Sequence, residues 1–166
     1  MARWGTFEER FESAIDRTDG CWAWSAGHIR GYGYIERDGR KIMAHRVMYE
    51  QTFGPIPSGQ QVDHICMNRN CVNPSHLRLA TTKQNCEHKG LSAKNTSGYR
   101  GVTRHADGVR WIAQVKHNQR NHYLGIFDTA ESAAEAARIK RLELFTHNDA
   151  DRLAPARIWP EGGDES

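Results

Sequence analysis

Cys66, Cys71 and His76 fall at C-x4-C-x4-H, and Cys21 stands upstream, directly before the aromatic pair Trp22 and Trp24. In a short chain this constrains the fold more than any apolar pattern does. Three thiolates and one imidazole complete the closed tetrahedral shell of structural zinc. The four cysteines of the chain, Cys86 among them, are also compatible with two disulfides or with thiols packed in a core. The compartment favours metal. Residues 1–16 hold Arg3, Glu8, Glu9, Arg10 and Glu12 and lack the apolar run of a secretory signal, so a reducing, intracellular and cytoplasmic setting is expected. Cys86, beside Asn85 on an expected helix, reads as a small buried thiol outside the cluster.

Composition explains why a staple is needed. With 166 residues, 38% of them apolar, the chain suits two small domains, neither able to bury a large core alone. No stretch is apolar enough to span a bilayer, so no membrane partner is expected. The net charge of +3 says little, but its distribution says more. Between Lys89 and Tyr123 lie seven basic residues and one acidic residue, Asp107. That run suits a polyanion such as DNA, and equally a solvated basic face.

Along the chain, Thr6 and Glu9 form a capping-box pattern ahead of Phe7, Phe11 and Ile15, predicting a helix to about Asp16. Alternating segments at Trp22/Trp24, Tyr32/Tyr34 and Lys41 to Ala44, with a turn at Asp38-Gly39, predict a small antiparallel sheet. His45 to Phe53 reads as a helix stopped by Gly54-Pro55. Residues 60–78 read as strand, loop and strand, and Thr81 or Thr82 then caps a short helix through Asn85. Residues 89–98 have linker composition, which separates a first domain, 1–88, from a second, 99–147. In the second, three strands precede an Ala-rich helix introduced by Asp128 and Glu131 at capping-box spacing. Residues 148–166 read as a disordered tail.

The densest chemistry lies in VDHICMNRNCVNPSHLRLATTKQN, residues 62–85. This run resembles the ββα-metal core of HNH endonucleases, and its interleaved Cys66, Cys71 and His76 resemble the zinc-bearing variant shared with the His-Cys box homing endonucleases. The resemblance implies an α+β fold in which a small ββα-metal core is held by structural zinc. It implies His64 as general base, His76 at the middle position that holds the loop, and Asn85 as ligand of a catalytic metal. His76 stands where many members have Asn, and Asn85 where many have His.

Elementary chemistry runs parallel to the resemblance. Phosphodiester hydrolysis needs a deprotonated water, and an ordinary imidazole titrates close enough to neutrality to take that proton. The developing charge calls for a hard cation on oxygen ligands, which Asp63 and Asn85 can supply; Mg²⁺ is the default and Mn²⁺ acceptable. A zinc with four protein ligands has no open position for this work, so two metals have separate tasks. Arg46, Arg69 and Arg78 surround the site in sequence as phosphate-binding candidates. His45, at the start of a helix, reads as a packing or capping residue.

The stretch SGYRGVTRHADGVRWIAQVKHNQRNHYLGIFDTAESAAEAARIK, residues 97–140, resembles the DNA-binding domain of the APETALA and ethylene-response-factor family. Its landmarks are Tyr99-Arg100-Gly101-Val102, Arg110-Trp111 with Ala113, Leu124-Gly125 with Phe127, and Thr129 before the helix. The resemblance implies a three-stranded antiparallel sheet packed on one α-helix, with the other sheet face against double-stranded DNA. Arg100, Arg110 and Trp111 match that family's contact or contact-adjacent positions, Trp111 equally as a core aromatic. Arg104, Lys116 and Arg120 are added from strand alternation and charge. The whole reads as a homing-type DNA endonuclease, with phage encoding in a bacterial host as one expectation and the choice between monomer and homodimer left open. The competing readings are a zinc-stabilised DNA-binding or regulatory protein without cleavage activity, and a less specific HNH nuclease.

Overall fold

The computed structural model describes residues 5–92 and 94–153, which form two compact units dividing between Asn85 and Cys86. Its mixture of helices and antiparallel sheets is of the expected α+β class. No helix among the described residues is long and apolar enough to cross a membrane.

In the first unit, α1 (Phe7–Ser13) starts at the expected capping box: Thr6 Oγ1 accepts the Glu9 amide, and Glu9 Oε2 accepts the Thr6 amide at 2.7 Å. The helix stops before Asp16 because Ile15 and Asp16 are drawn into a strand, β1 (Ile15–Asp16), paired with β2 (Ala23–Trp24). That pairing sets fully buried Phe11 5.2 Å from the Trp24 ring. A three-stranded sheet follows, β3 (His28–Ile29), β4 (Tyr32–Arg37) and β5 (Arg40–Met43), in that order. Arg37 pairs with Arg40 across the two-residue turn Asp38-Gly39, whose φ values of 51° and 70° give the left-handed turn that matches strand twist.

Helix α2 (Ala44–Phe53) continues directly from β5 and ends at Gly54, φ 92°. Its inner face, with Ala44, Val47 and Met48, packs in one cluster with Ile35, Val62, Val72 and Leu77. Next, β6 (Gln60–His64) and β7 (Leu77–Thr81) form a hairpin that opposes Asp63 to Arg78 and His64 to Leu77. Helix α3 (Thr82–Glu87) leaves that hairpin, with Thr81 and Gln84 exchanging backbone-to-side-chain hydrogen bonds across its first turn. Strand, strand and helix thus form a continuous ββα unit.

The second unit is an antiparallel sheet, β8 (Val102–Arg104), β9 (Trp111–His117) and β10 (Arg120–Phe127), with β9 central. Helix α4 (Ala130–Leu144) packs on one face. Fully buried Ala133 and Ala137 share a core with Val102, Ala113, Val115 and Phe145, and small side chains there let helix and sheet approach closely. The helix is capped by Thr129, whose hydroxyl accepts the Ser132 amide, rather than by Asp128; Glu131 accepts from the Tyr99 hydroxyl instead.

Two boundary expectations are corrected. Glu87 and His88, expected to end the first domain, are buried in the second unit. Glu87 Oε2 accepts the Thr146 amide at 3.1 Å, its Oε1 lies 3.5 Å from His117 Nε2, and His88 Nδ1 lies 3.4 Å from Asp149. The expected tail begins instead with fully buried Asn148 and α5 (Asp149–Leu153). Asp151 in α5 takes a forked ion pair from buried Arg141 at 2.6 and 2.8 Å, and Arg141 also donates to the Arg100 carbonyl. These bonds link segments too far apart in sequence for local pattern to reveal. Residues 154–166 of that tail lie outside the described residues.

Gly101 shows how close the packing is. At φ +83° an added Cβ would sit 2.6 Å from the Gln114 carbonyl oxygen and 3.4 Å from Ala137 Cβ. Gly101→Ala is expected to destabilise the second unit by roughly 2 kcal/mol or more, through left-handed strain and the backbone clash together. The measurement is the urea midpoint of the Gly101→Ala protein against the parent.

Candidate metal centre and active site

Backbone pairing builds the cluster before any side chain contributes. The Trp24 amide donates to Asn70 O, the Val72 amide donates to Trp22 O, and Ala23 bridges to Cys71, so residues 22–24 and 70–72 run alongside each other. Asn73 Nδ2 ties the loop to Gly20 O at 2.8 Å, while Asn73 Oδ1 accepts the Ser75 amide and caps the 3-10 turn Pro74–His76. Cys21, Cys66, Cys71 and His76 are thereby gathered with their ligand atoms all within 4.8 Å of one another.

The spacing fits zinc. With Zn–S near 2.3 Å and Zn–N near 2.0 Å, a tetrahedral shell has S–N edges of about 3.5 Å. His76 Nδ1 lies 3.6 Å from Cys21 Sγ and 3.5 Å from Cys71 Sγ. All four cysteines are free thiols, and Cys86 is exposed on α3 rather than buried. The sulfurs compete for charge. Donation to Cys71 pushes the Cys66 thiol well above its ordinary range, while the same bond lowers Cys71. The Asn73 amide also donates to Cys71 Sγ at 3.4 Å. Sulfurs packed so closely that one resists ionisation are what a divalent ion relieves.

His64 ends β6 with only 5% of its surface exposed. Its Nε2 lies 3.0 Å from the Cys71 carbonyl oxygen, a group that can only accept, so Nε2 carries a proton and donates it there. Cys71 therefore serves twice, by sulfur in the metal cluster and by carbonyl on the imidazole. Its neighbour Asp63 is 6% exposed and receives both Nε and Nη2 of Arg78 on Oδ2, at 3.1 and 3.0 Å. Arg78, a phosphate-binding candidate, is thus engaged by a carboxylate. Asn85 Nδ2 donates to Gln61 Oε1 at 2.7 Å, leaving the amide oxygen as its acceptor end. Gln61 and Asp63, two apart on β6, share a strand face, and His64 packs in a cluster of rings.

That ring cluster holds what sequence reasoning missed. The His45 ring centroid lies 4.7 Å from His64, and Tyr32 lies 5.4 Å from His45 and 6.0 Å from His64. Exposed Arg69 stacks on the Tyr32 ring at 5.3 Å. His45 Nδ1 is buried with no hydrogen-bond partner among the described residues. Burial first, then the charges of His64 and Arg46, lower its pKa from 6.5 to about 3. The only sequence signal was an imidazole placed immediately before Arg46 at a strand-to-helix junction.

In the second unit the DNA-contact candidates fall into different settings. Arg100 is half-buried, donates to the Glu87 carbonyl at 2.9 Å and lies over the Phe145 ring, with burial lowering its pKa; it acts as an internal post. Trp111 shares its strand side with Ala113 and Val115 and carries the Arg104 guanidinium at 4.8 Å. Arg110 is paired with Asp107 at 2.7 Å, and the Arg110 and Val109 amides hold that carboxyl well below its usual range. Lys116 and Arg120 are exposed. The sheet face opposite α4 presents Thr103, Gln114, Lys116, Asn121 and Tyr123, the last 59% exposed.

Two expectations follow. One zinc per chain should be found by elemental analysis, and Cys66→Ser should lower that content and abolish cooperative unfolding of the first unit, because ligand binding there is folding energy. His45 keeps its neutral form in the folded protein far below pH 6.5, so its contribution is present above that value and falls as the unfolded chain takes up the proton. Between pH 6.5 and 5, unfolding free energy should fall less steeply for His45→Gln than for the parent, by up to about 1.4 kcal/mol per pH unit.

The HNH endonuclease family matches residues 43–86, the span from the end of β5 to α3. Protein 7.7 of Escherichia phage T7 is 44% identical over 78 residues, covering 45% of this chain and 60% of that protein. An uncharacterized HNH endonuclease of Acanthamoeba polyphaga mimivirus is 35% identical over 115 residues, covering 68% of this chain and 59% of that protein. The chain thus spans about three fifths of the length of these two relatives. Protein 3.8 of phage T7 is 31% identical over 97 residues, covering 58% of this chain and 80% of that protein. No solved structure matches. An HNH endonuclease domain thus lies over the ββα unit at residues 43–86, and the chain is related to a phage protein matched across four fifths of that protein's length.

Proposed function

We propose that this protein is a divalent-metal-dependent DNA endonuclease of the homing type, with His64 as general base. The observation that carries this reading is the pinning of His64 Nε2 on the Cys71 carbonyl, which orients the ring; in this reading Nδ1 takes a proton from water. Asp63 and Asn85 offer a carboxylate and an amide oxygen, a donor set suited to a hard cation such as Mg²⁺ or Mn²⁺. Such a cation, when bound, supplies neutralisation of charge on the phosphate and the leaving oxygen. His64 holds the proton taken from water, and the zinc loop keeps its ring oriented. Arg46 and Arg69, both exposed, are the contacts to phosphate oxygens in this reading.

The second unit, read as a domain of the APETALA and ethylene-response-factor type, places the nuclease on double-stranded DNA. The sheet-on-helix architecture supports this, as does the polar open face with Gln114, Lys116, Asn121 and Tyr123. A single active site cuts one strand, so a double-strand break requires two copies or two binding events.

Plasmid incubated with the protein and Mg²⁺ is expected to be nicked or linearised. His64→Ala and Asn85→Ala proteins that retain zinc should each lose at least about a hundredfold in rate, the usual scale for a base or a charge-stabilising group. Cleavage that survives both substitutions would remove His64 and the Asp63/Asn85 pair from the mechanism.

A further inference from the structure

Away from the ring cluster, the β4–β5 hairpin and the first turn of α2 enclose an open groove of about 640 Å³, lined by Arg37, Asp38, Arg40, Lys41, Met43 and Arg46, with Ile42 beneath. Four cations face one carboxylate. Asp38 approaches Arg37 only at 4.0 Å, and its side chain is 93% exposed, so it neutralises little. Arg40 and Arg46 are exposed and make no hydrogen bond or ion pair among the described residues, while Lys41 Nζ rests over the Tyr34 ring at 4.6 Å. In contrast, the exposed acidic residues Glu8, Glu9 and Glu12 gather on α1. Glu36 lies across the strand pair from Lys41, but Arg40 and Arg46 have no ion-pair partner among the described residues, and the surplus of positive charge costs self-repulsion that a polyanion would relieve.

The groove adjoins the candidate site through one helical turn. Arg46 follows His45, whose ring is 4.7 Å from His64, and the α2 N-cap residue Met43 offers no side-chain acceptor to compete for an anion. We infer that this hairpin groove is a DNA-backbone site of the first unit, in which Arg40, Lys41 and Arg46 bind phosphates flanking the one brought to His64. The inference rests on the reading of this unit as DNA-acting, but it concerns binding alone. Apolar atoms of Ile42 and Met43 in the lining suit deoxyribose, and the guanidinium forks suit phosphate oxygens.

The test measures affinity of the full-length protein for a fluorescent 30-base-pair duplex across a KCl series, with no divalent cation added. The Arg40→Gln/Lys41→Gln protein is expected to bind more weakly and to show a log Kd against log[KCl] slope shallower by about 1.8, at about 0.9 per phosphate contact. A charge-preserving Arg40→Lys/Lys41→Arg protein should keep the parent slope. An unchanged slope in the Gln protein, with zinc content and circular dichroism intact, overturns the inference. Because no cleavage is involved, the two readings fail separately. A shallower slope with no plasmid cleavage leaves the groove standing and the nuclease reading fallen, whereas cleavage with an unchanged slope does the reverse.

Discussion

Convergence of three sulfurs and one imidazole on a single point is the constraint from which the first unit's order follows. Cys21 comes from the N-terminal segment, Cys66 and Cys71 from the long loop between β6 and β7, and His76 from the 3-10 turn that ends it. Closing such loops costs chain entropy that the few apolar side chains around Phe11 and Trp24 are poorly equipped to offset. A divalent ion fitting the cluster would restrain all four segments through one centre, and the hydrogen bonds of Asn73 then set the loop's path. What looks like an irregular loop is therefore as restrained as a strand.

The second unit reaches order by other means. Its sheet and α4 pack through alanines, and the remaining gap is closed by charged groups: Arg141 with Asp151, Glu87 with Thr146 and His117, His88 with Asp149. Buried ion pairs of this kind owe their value to completeness, since a lone partner left behind is costly. The segment before the sheet and the segment after α4 are thereby fastened to the same domain.

Much of this was legible in the chain. The ligand set Cys21, Cys66, Cys71 and His76 could be read because metal spacing is a local chemical pattern, and the Thr6/Glu9 box because capping acts over one turn. The hairpin turn at Asp38-Gly39 was readable for the same reason. What escaped depends on distant partners. Glu87 and His88 look like the end of the first domain, and Asn148 like the start of a tail, until elements some sixty positions apart are folded side by side. Arg100 and Trp111 carry the right side chains for nucleic acid, yet the core takes up one guanidinium and supports one face of the indole. His45 gives no periodic signal, because its place depends on β5 delivering α2 to the ring of His64.

One residue, Cys71, joins the soft-ligand cluster to the chemistry proposed for His64, with its sulfur facing the former and its carbonyl oxygen the latter. This dual engagement limits how such a centre could be redesigned. A ligand swap at Cys21 asks only that the new donor reach the metal, whereas a swap at Cys71 must also preserve the tilt of one peptide plane. Attempts to convert the shell to a different donor set should therefore begin at the upstream cysteine, leaving the residue whose backbone steers the imidazole untouched.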